Sequence, residues 1–206
     1  MAICERPILM SAPMVRAILD GNKTQTRRII KPQPEEGTDC PYHIGIGNDR
    51  RSRVCPYGVP GDRLWVREKC RAEEMESGLY GVRYLADMDF REIKNTPEAS
   101  DDWLVLNNYR GQSGAMVPSI HMPRWASRIN LEIVGTLVER LQDISAEGAI
   151  AEGLTDCGGA WAIKTEKMTS RCVDPIDTFR DLWEHINGYG SWNKKPWVWV
   201  VEFNMI

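Results

Sequence analysis

Apolar residues in this chain recur with two different periods, and the points where the period changes mark its elements. Pro7 to Met10 is a short apolar run that predicts a first strand. Ser11 follows as an N-cap, and Pro13 sits near the first helical turn, where its missing N–H costs little. Met14, Ala17 and Ile18 then recur at helical spacing, widened by Val15 and Leu19. Asp20-Gly21-Asn22 ends this helix, because glycine tolerates the left-handed conformation of a C-terminal cap. From Lys23 alternation takes over. Lys23, Gln25, Arg27 and Ile29 share one face of a strand, and Thr24, Thr26, Arg28 and Ile30 the other.

Residues 31–61, with Pro32, Pro34, Pro41, Pro56 and Pro60, predict an irregular loop that ends in the turn Pro60-Gly61-Asp62. Arg63 to Cys70 and Leu79 to Leu85 alternate as strands. Residues 86–127 show no clear period. Asp101-Asp102 and the Gly111–Gly114 stretch suggest a surface insertion. Arg128 to Leu141 predicts a long strand whose phase slips at Val134-Gly135, as a bulge would make it do. Ser145 caps a short helix that ends at Glu152-Gly153, and residues 155–173 read as irregular. Asp174-Pro175 opens the strongest helix, with Ile176, Phe179, Leu182, Trp183 and Ile186 on one face and Asn187-Gly188 at its end. Trp197 to Phe203 is the last strand. Its tryptophans suit a core, whereas Trp125 and Trp192, in polar segments, suit stacking on a base. Five to seven strands and three good helices without strict βαβ alternation predict an α+β fold, a mixed β-barrel or curled sheet with peripheral helices.

Composition adds bounds. The 206 residues suit one domain with insertions, are 42% apolar and 27% charged, and contain no apolar run near the ~20 residues of a membrane span. No basic segment followed by a long apolar stretch opens the chain, so a cytoplasmic setting without membrane attachment is expected. P-loop, G-x-G-x-x-G and H-E-x-x-H motifs do not occur, and no cofactor is implied. Net charge is −3, but residues 1–71 hold 13 Lys/Arg against 8 Asp/Glu, while residues 72–206 hold 13 against 21. A basic N-terminal part suits phosphates, or simply a solvated surface of one sign. Cysteines lie at 4, 40, 55, 70, 157 and 172, with no C-x-x-C pair. Cys40, His43 and Cys55, with Cys70 or His121 as a fourth ligand, make a zinc reading that lacks the usual tight spacing, so no metal is assigned.

The densest chemistry is Gly21-Asn22-Lys23-Thr24-Gln25-Thr26-Arg27-Arg28, where two hydroxyls and three cations lie within six residues beside a turn-forming glycine. We read this stretch as the floor of a cleft. Lys23 and Thr26 point apart in a regular strand and converge only if the chain is still turning at Asn22-Lys23. Solvated strand positions and plain β-formers would carry the same residues.

Helix, then Gly21-x-Lys23-x-x-Thr26-x-Arg28, then the Gly61-Asp62 turn with Leu64-Trp65-Val66-Arg67-Glu68, then Ala149-x-x-Glu152-Gly153, then a closing strand at Trp197–Phe203: this order resembles the ASCH domain of the PUA-like superfamily, most of all its phage and prophage members. The resemblance covers residues 6–31, 58–71 and 124–206. It implies a single domain over 1–206, a PUA-like mixed barrel, with loop-rich insertions at about 32–57 and 72–123. Many ASCH domains carry Glu where Thr26 stands. The form with threonine is similar to a subgroup of amidohydrolases that remove the acetyl group from acetylated cytidine, whose catalytic Lys, Thr and Glu fall on Lys23, Thr26 and Glu152. Substrate-binding roles are then expected for Gly21, Asn22, Thr24, Arg28, Arg67 and Glu68. No metal is part of that scheme.

Amide hydrolysis needs a nucleophile, a base, a proton donor for the leaving amine and a partner for the oxyanion. Lys23 is a base only if burial or nearby cations such as Arg27 and Arg28 lower its pKa, and a close Glu152 opposes that. Lys23 equally suits anion binding, with Thr26 orienting a water. The alternative to an enzyme is a module that binds RNA, DNA or a modified base, with RNA favoured over DNA, or an RNA-cleaving ASCH protein. It calls for a basic surface of Arg27, Lys31, Arg50, Arg51 and Arg53.

Overall fold

A computed structural model describes residues 3–34, 55–165 and 168–206. The chain divides into two compact units, one of residues 1–6, 17–64 and 131–206, the other of residues 7–16 and 65–130. The strands are β1 (Glu5–Leu9), β2 (Gln25–Ile29), β3 (Arg63–Arg67), β4 (Cys70–Glu74), β5 (Tyr80–Tyr84), β6 (Phe90–Glu92), β7 (Asn130–Arg140), β8 (Thr155–Asp156), β9 (Trp161–Lys164), β10 (Thr169–Cys172) and β11 (Trp197–Met205). The helices are α1 (Ala12–Leu19), α2 (Pro97–Asn107), α3 (Ala146–Ala151) and α4 (Pro175–Asn187). The fold is mixed α+β. The largest sheet has the order β1-β3-β7-β11-β2, and the other two are β10-β9-β8 and β4-β5-β6. The order of the five-stranded sheet is linear, so among the described residues it does not close into a barrel. No helix there is long and apolar enough to cross a membrane.

In the first unit β11 is central, antiparallel to β2 on one side and β7 on the other. Both neighbours cover its backbone, and Val198, Trp199, Val200, Val201 and Phe203 are buried. The slip expected at Val134-Gly135 is present. Glu202 faces Gly135 and Phe203 faces Ile133, which leaves Val134 as the extra residue of a bulge. Helix α4 starts as its sequence predicts, with the Asp174 carboxylate accepting from the Ile176 N–H at 2.8 Å. Its buried face, Phe179, Leu182 and Trp183, packs with α3 and with β9–β10. Trp192 is not a free stacking platform. It is buried with its ring 6.2 Å from Phe179.

Two stretches read as irregular or as an insertion carry regular elements. Residues 155–173 carry the three-stranded sheet β8–β10, whose strands of two to four residues are too short to show alternation. Residues 72–123, expected to be a loop-rich insertion, instead carry most of β4–β6, all of α2 and much of a separate core. In that core Cys70, Ala72, Val82, Tyr84, Trp103, Leu106, Val117, Met122 and Ala126 are buried. Trp103 donates to the Gly81 carbonyl at 2.8 Å and meets Tyr80 edge-on at 4.7 Å between ring centres. Asp101 and Asp102 lie on the exposed side of α2. The insertion expected at 32–57 lies largely outside the described residues.

Candidate active site

The end of α1 delivers Lys23 to its place. Gly21 adopts φ +76°, and the N–H groups of Asn22 and Lys23 both bond the Ala17 carbonyl, at 2.8 and 2.9 Å. The chain is therefore still turning when it reaches Lys23, ahead of the start of β2. Across the turn lies the end of α3, a helix capped by the Ser145 hydroxyl, which accepts from the Gly148 N–H at 3.0 Å. Lys23 and Glu152 form an isolated antiparallel bridge, and Thr24 N–H bonds the Ala151 carbonyl at 3.0 Å. The approach is close enough to demand glycine at 153. There φ is +103°, and a Cβ would lie 2.9 Å from that of Ala17 and 3.1 Å from that of Lys23.

The Lys23 side chain is 0% exposed and that of Glu152 3%. Nζ of Lys23 donates to Glu152 Oε2 at 2.7 Å, to the Glu152 carbonyl at 2.9 Å and to the Gln25 carbonyl at 2.8 Å. An ammonium has three protons, so all three have acceptors. Arg27 reaches the other oxygen of the same carboxylate, Nη1 to Glu152 Oε1 at 3.3 Å. It also bonds Glu139 at 2.8 Å, Gln25 Oε1 at 2.8 Å and the Gly148 carbonyl at 3.3 Å. Gln25 in turn donates to Glu202 at 2.7 Å. A Cβ at Gly148 would lie 2.8 Å from Arg27 Nη2, so glycine there lets α3 pass over the guanidinium without displacing it.

Burial is the largest influence on the Lys23 amine and holds its pKa below the ordinary lysine value. The Glu152 carboxylate opposes that shift, while Arg28 and Arg27 add to it. The arrangement can therefore pass a proton between an amine and a carboxylate 2.7 Å apart and away from water. Beside it is a cleft of about 360 Å³ whose lining includes Gln25, Arg27, Glu139, Ser145, Gly148 and Ala151. Arg27 belongs both to this cleft and to the hydrogen-bonded pair.

The structure thus brings Lys23 and Glu152 together across 129 residues of sequence. Thr26 is buried on β2 opposite Val201, and it hydrogen-bonds neither of them. Strand alternation turns it to the face opposite Gln25 and Arg27. Gly21, Asn22 and Thr24 are exposed, and Arg28 is half-buried, close enough to act electrostatically on Lys23 and Tyr57.

Arg67 and Glu68, expected to bind substrate, belong to the second unit and have partners there. The Arg67 guanidinium donates to the carbonyls of Met122 and Ile120 and stacks over Trp65. Glu68 is buried in a two-point pair with Arg128 at 2.8 and 3.0 Å. Arg27, expected on a phosphate-facing surface, is enclosed by carboxylates, whereas Lys31 is exposed. Arg50, Arg51, Arg53, Cys40 and His43 lie outside the described residues. Cys55 and Cys70, considered as zinc ligands, are buried thiols, and burial pushes the Cys70 thiol up to about 12.

Sequence reasoning missed Glu139, Glu202 and Gly148, and read Gly153 only as a helix end and a member of the motif order. Alternation from Lys23 through Gln25 to Arg27 was the available signal for a shared face. The carboxylates that meet it come from strands and a helix far along the chain.

No protein-family model matches this chain, and no solved structure matches it. A curated protein similar to part of it is the 4-hydroxy-3-methylbut-2-en-1-yl diphosphate synthase (flavodoxin) of Ruegeria pomeroyi, 28% identical over 102 residues. The match spans 50% of this chain and 25% of the synthase.

Proposed function

We propose that this chain is an ASCH-type protein of the PUA-like superfamily that hydrolyses the amide of an N-acylated, cytidine-type nucleoside. The observation that carries the reading is the buried Lys23–Glu152 contact of 2.7 Å, which joins two of the three residues the resemblance makes catalytic. The five-stranded sheet with flanking helices suits that superfamily in its elements, while its linear order departs from a closed barrel. The adjoining cleft of about 360 Å³ falls in the range that holds small molecules, roughly 300–1,000 Å³. The substrate class comes from the resemblance. Free cysteines at 4, 55, 70, 157 and 172 suit a reducing, cytoplasmic setting.

In this mechanism the reacting form of the pair is neutral amine and carboxylic acid, reached by passing one proton along their 2.7 Å hydrogen bond. The attacking oxygen is that of a water, which gives one proton to Lys23 Nζ as it bonds to the amide carbon; Thr26, on the opposite face of β2, takes no part. Glu152 gives its proton to the exocyclic nitrogen as the C–N bond breaks and cytidine leaves. Lys23 is then ammonium and Glu152 carboxylate, and a transfer along their hydrogen bond restores the starting form. The oxygen of the attacking water stays on the acyl carbon, and the acyl group leaves as a carboxylic acid.

The test is release of cytidine from acetylcytidine, read by chromatography, for wild type beside Lys23→Ala and the isosteric Glu152→Gln. Release by wild type alone is the expected result. A wild-type protein that folds and releases no cytidine overturns the reading.

A further inference from the structure

We propose that Arg27 and Glu139 form a donor–acceptor pair in the wall of the α3 cleft, and that this pair selects an uncharged ligand with an amide-type edge, an N–H beside a carbonyl oxygen or ring nitrogen. The cleft lies within the first unit and holds about 360 Å³. Leu137 and Val200 line it with apolar surface, which suits the flat face of a small ring. The Arg27 side chain is 3% exposed, and most of its donors are taken. Nε bonds Glu139 Oε1 at 2.8 Å, while Nη1 bonds Gln25 Oε1 at 2.8 Å and Glu152 Oε1 at 3.3 Å. Nη2 has no acceptor among the described residues and keeps access to solvent at the cleft that Arg27 lines. Glu139 mirrors this. Its Oε1 is held by Arg27, and its Oε2 has no donor among the described residues. Nη2 shares a carbon with Nε, and Oε2 shares one with Oε1, so the 2.8 Å bond keeps the open donor beside the open acceptor.

Complementarity to the pair decides the class of ligand. A carboxylate would satisfy Nη2 but set its second oxygen against Glu139 Oε2. An amidinium would satisfy Oε2 but turn N–H groups and a like charge on Nη2. A carboxamide, a lactam or a pyrimidine edge meets both, and a polar group left unmet in so enclosed a wall is costly. The rest of the lining agrees. Arg27 is its one cation, against Glu139, Asp143 and Glu147. Behind the wall Lys23 is paired with Glu152, and Arg140 is turned to the Lys195 carbonyl and the Trp197 ring. Anions therefore meet repulsion as well as a mismatch. Cations gain only Asp143 and Glu147, which are exposed and solvated, and lose the bond to Nη2. In an N-acylated cytidine, ring N3 beside the exocyclic N–H is an edge of the required kind. Recognition by this pair shares the cleft with the proposed hydrolysis but needs no step of it.

Benzamide, benzoate and benzamidinium are shape-matched probes of the three kinds. Each is titrated into the full chain, following by NMR the backbone amides of Gly148 and Ala151, which line the cleft. Benzamide is expected to shift them saturably at millimolar concentration, and each ion to bind at least roughly tenfold more weakly, the effect of one unmet hydrogen-bonding group in the wall. Glu139→Gln keeps an oxygen on Arg27 Nε and turns an NH₂ to the cleft, so that a donor stands beside a donor. It should weaken benzamide and reverse the preference to benzoate, which a loss of packing alone would not do. Leu137→Trp, which fills the cleft without touching a charge, should abolish the shifts. Either ion binding wild type as tightly as benzamide, no benzamide binding at millimolar concentration, or a preference unchanged by Glu139→Gln overturns the proposal. Benzamide binding by a protein that releases no cytidine from acetylcytidine supports the pair and overturns hydrolysis alone.

Discussion

Replacing Lys23 by methionine keeps most of the side chain's bulk and removes its charge. Glu152, 3% exposed, then keeps only Arg27 at 3.3 Å on one oxygen, and the carbonyls of Gln25 and Glu152 each lose a donor. Breaking a buried pair in this way costs about 3–5 kcal/mol, because the remaining charge stays desolvated. At roughly 2–4 °C per kcal/mol for a chain of this length, the melting temperature falls by about 6–20 °C. The double variant Lys23→Met/Glu152→Leu removes both charges and leaves Arg27 with Glu139. Apolar replacement of a whole buried pair is often neutral, so the double variant should melt above Lys23→Met. A pH series adds a second reading. Burial lowers the folded pKa of Lys23 below its ordinary value of 10.5, so between those two values the unfolded chain binds more protons. Stability attributable to Lys23 therefore rises with pH through that window, and Lys23→Met removes the rise. The assay is thermal unfolding by circular dichroism on wild type, Lys23→Met, Glu152→Leu and the double variant. A single variant that melts within about 2 °C of wild type, or a double variant whose loss is the sum of two singles, refutes the account of a desolvated, coupled pair.

Gly153→Ala should destabilise by about 1–3 kcal/mol, read as a lower unfolding midpoint in urea, because φ is +103° and the new methyl would crowd Ala17 and Lys23. Glu73, paired with Arg83 and Arg71, has its carboxyl held down at about 2, so the stability it contributes is complete above its ordinary value of 4.5 and is lost as pH falls from there to about 2. Glu73→Gln should flatten that part of an acid-unfolding profile, and an unchanged slope would show that the pair adds nothing.

Local signals carried the first and last parts of the chain. Ser145 and Asp174 read as caps because a short side-chain acceptor fits an orphan N–H whatever the rest of the fold does. The bulge at Val134 showed as a phase slip, since alternation is a property of the strand itself. Within residues 72–123 the alternation from Leu79 to Leu85 marked β5, but the rest failed to read because β6 is three residues long and α2 has only Trp103 and Leu106 buried, too few to set a period. Lys23 and Glu152 entered as candidates through motif order, and Gly21 foretold the turn that frees Lys23 from strand alternation.

Sequence by itself therefore determined where the elements of the first and last parts of the chain begin and which short stretch concentrates polar groups. Tertiary structure decided what those groups do, because the desolvation of a charge depends on neighbours remote in sequence. It put Lys23 and Arg27 on the two oxygens of one buried carboxylate. It turned Thr26 to the other face of β2, and it spent every donor of Arg128 on Glu68, Asp87 and Asp89. A lysine in a sequence is a solvated cation by default. Only the closing of α3 over β2 removes the surrounding water and holds its pKa below the ordinary lysine value.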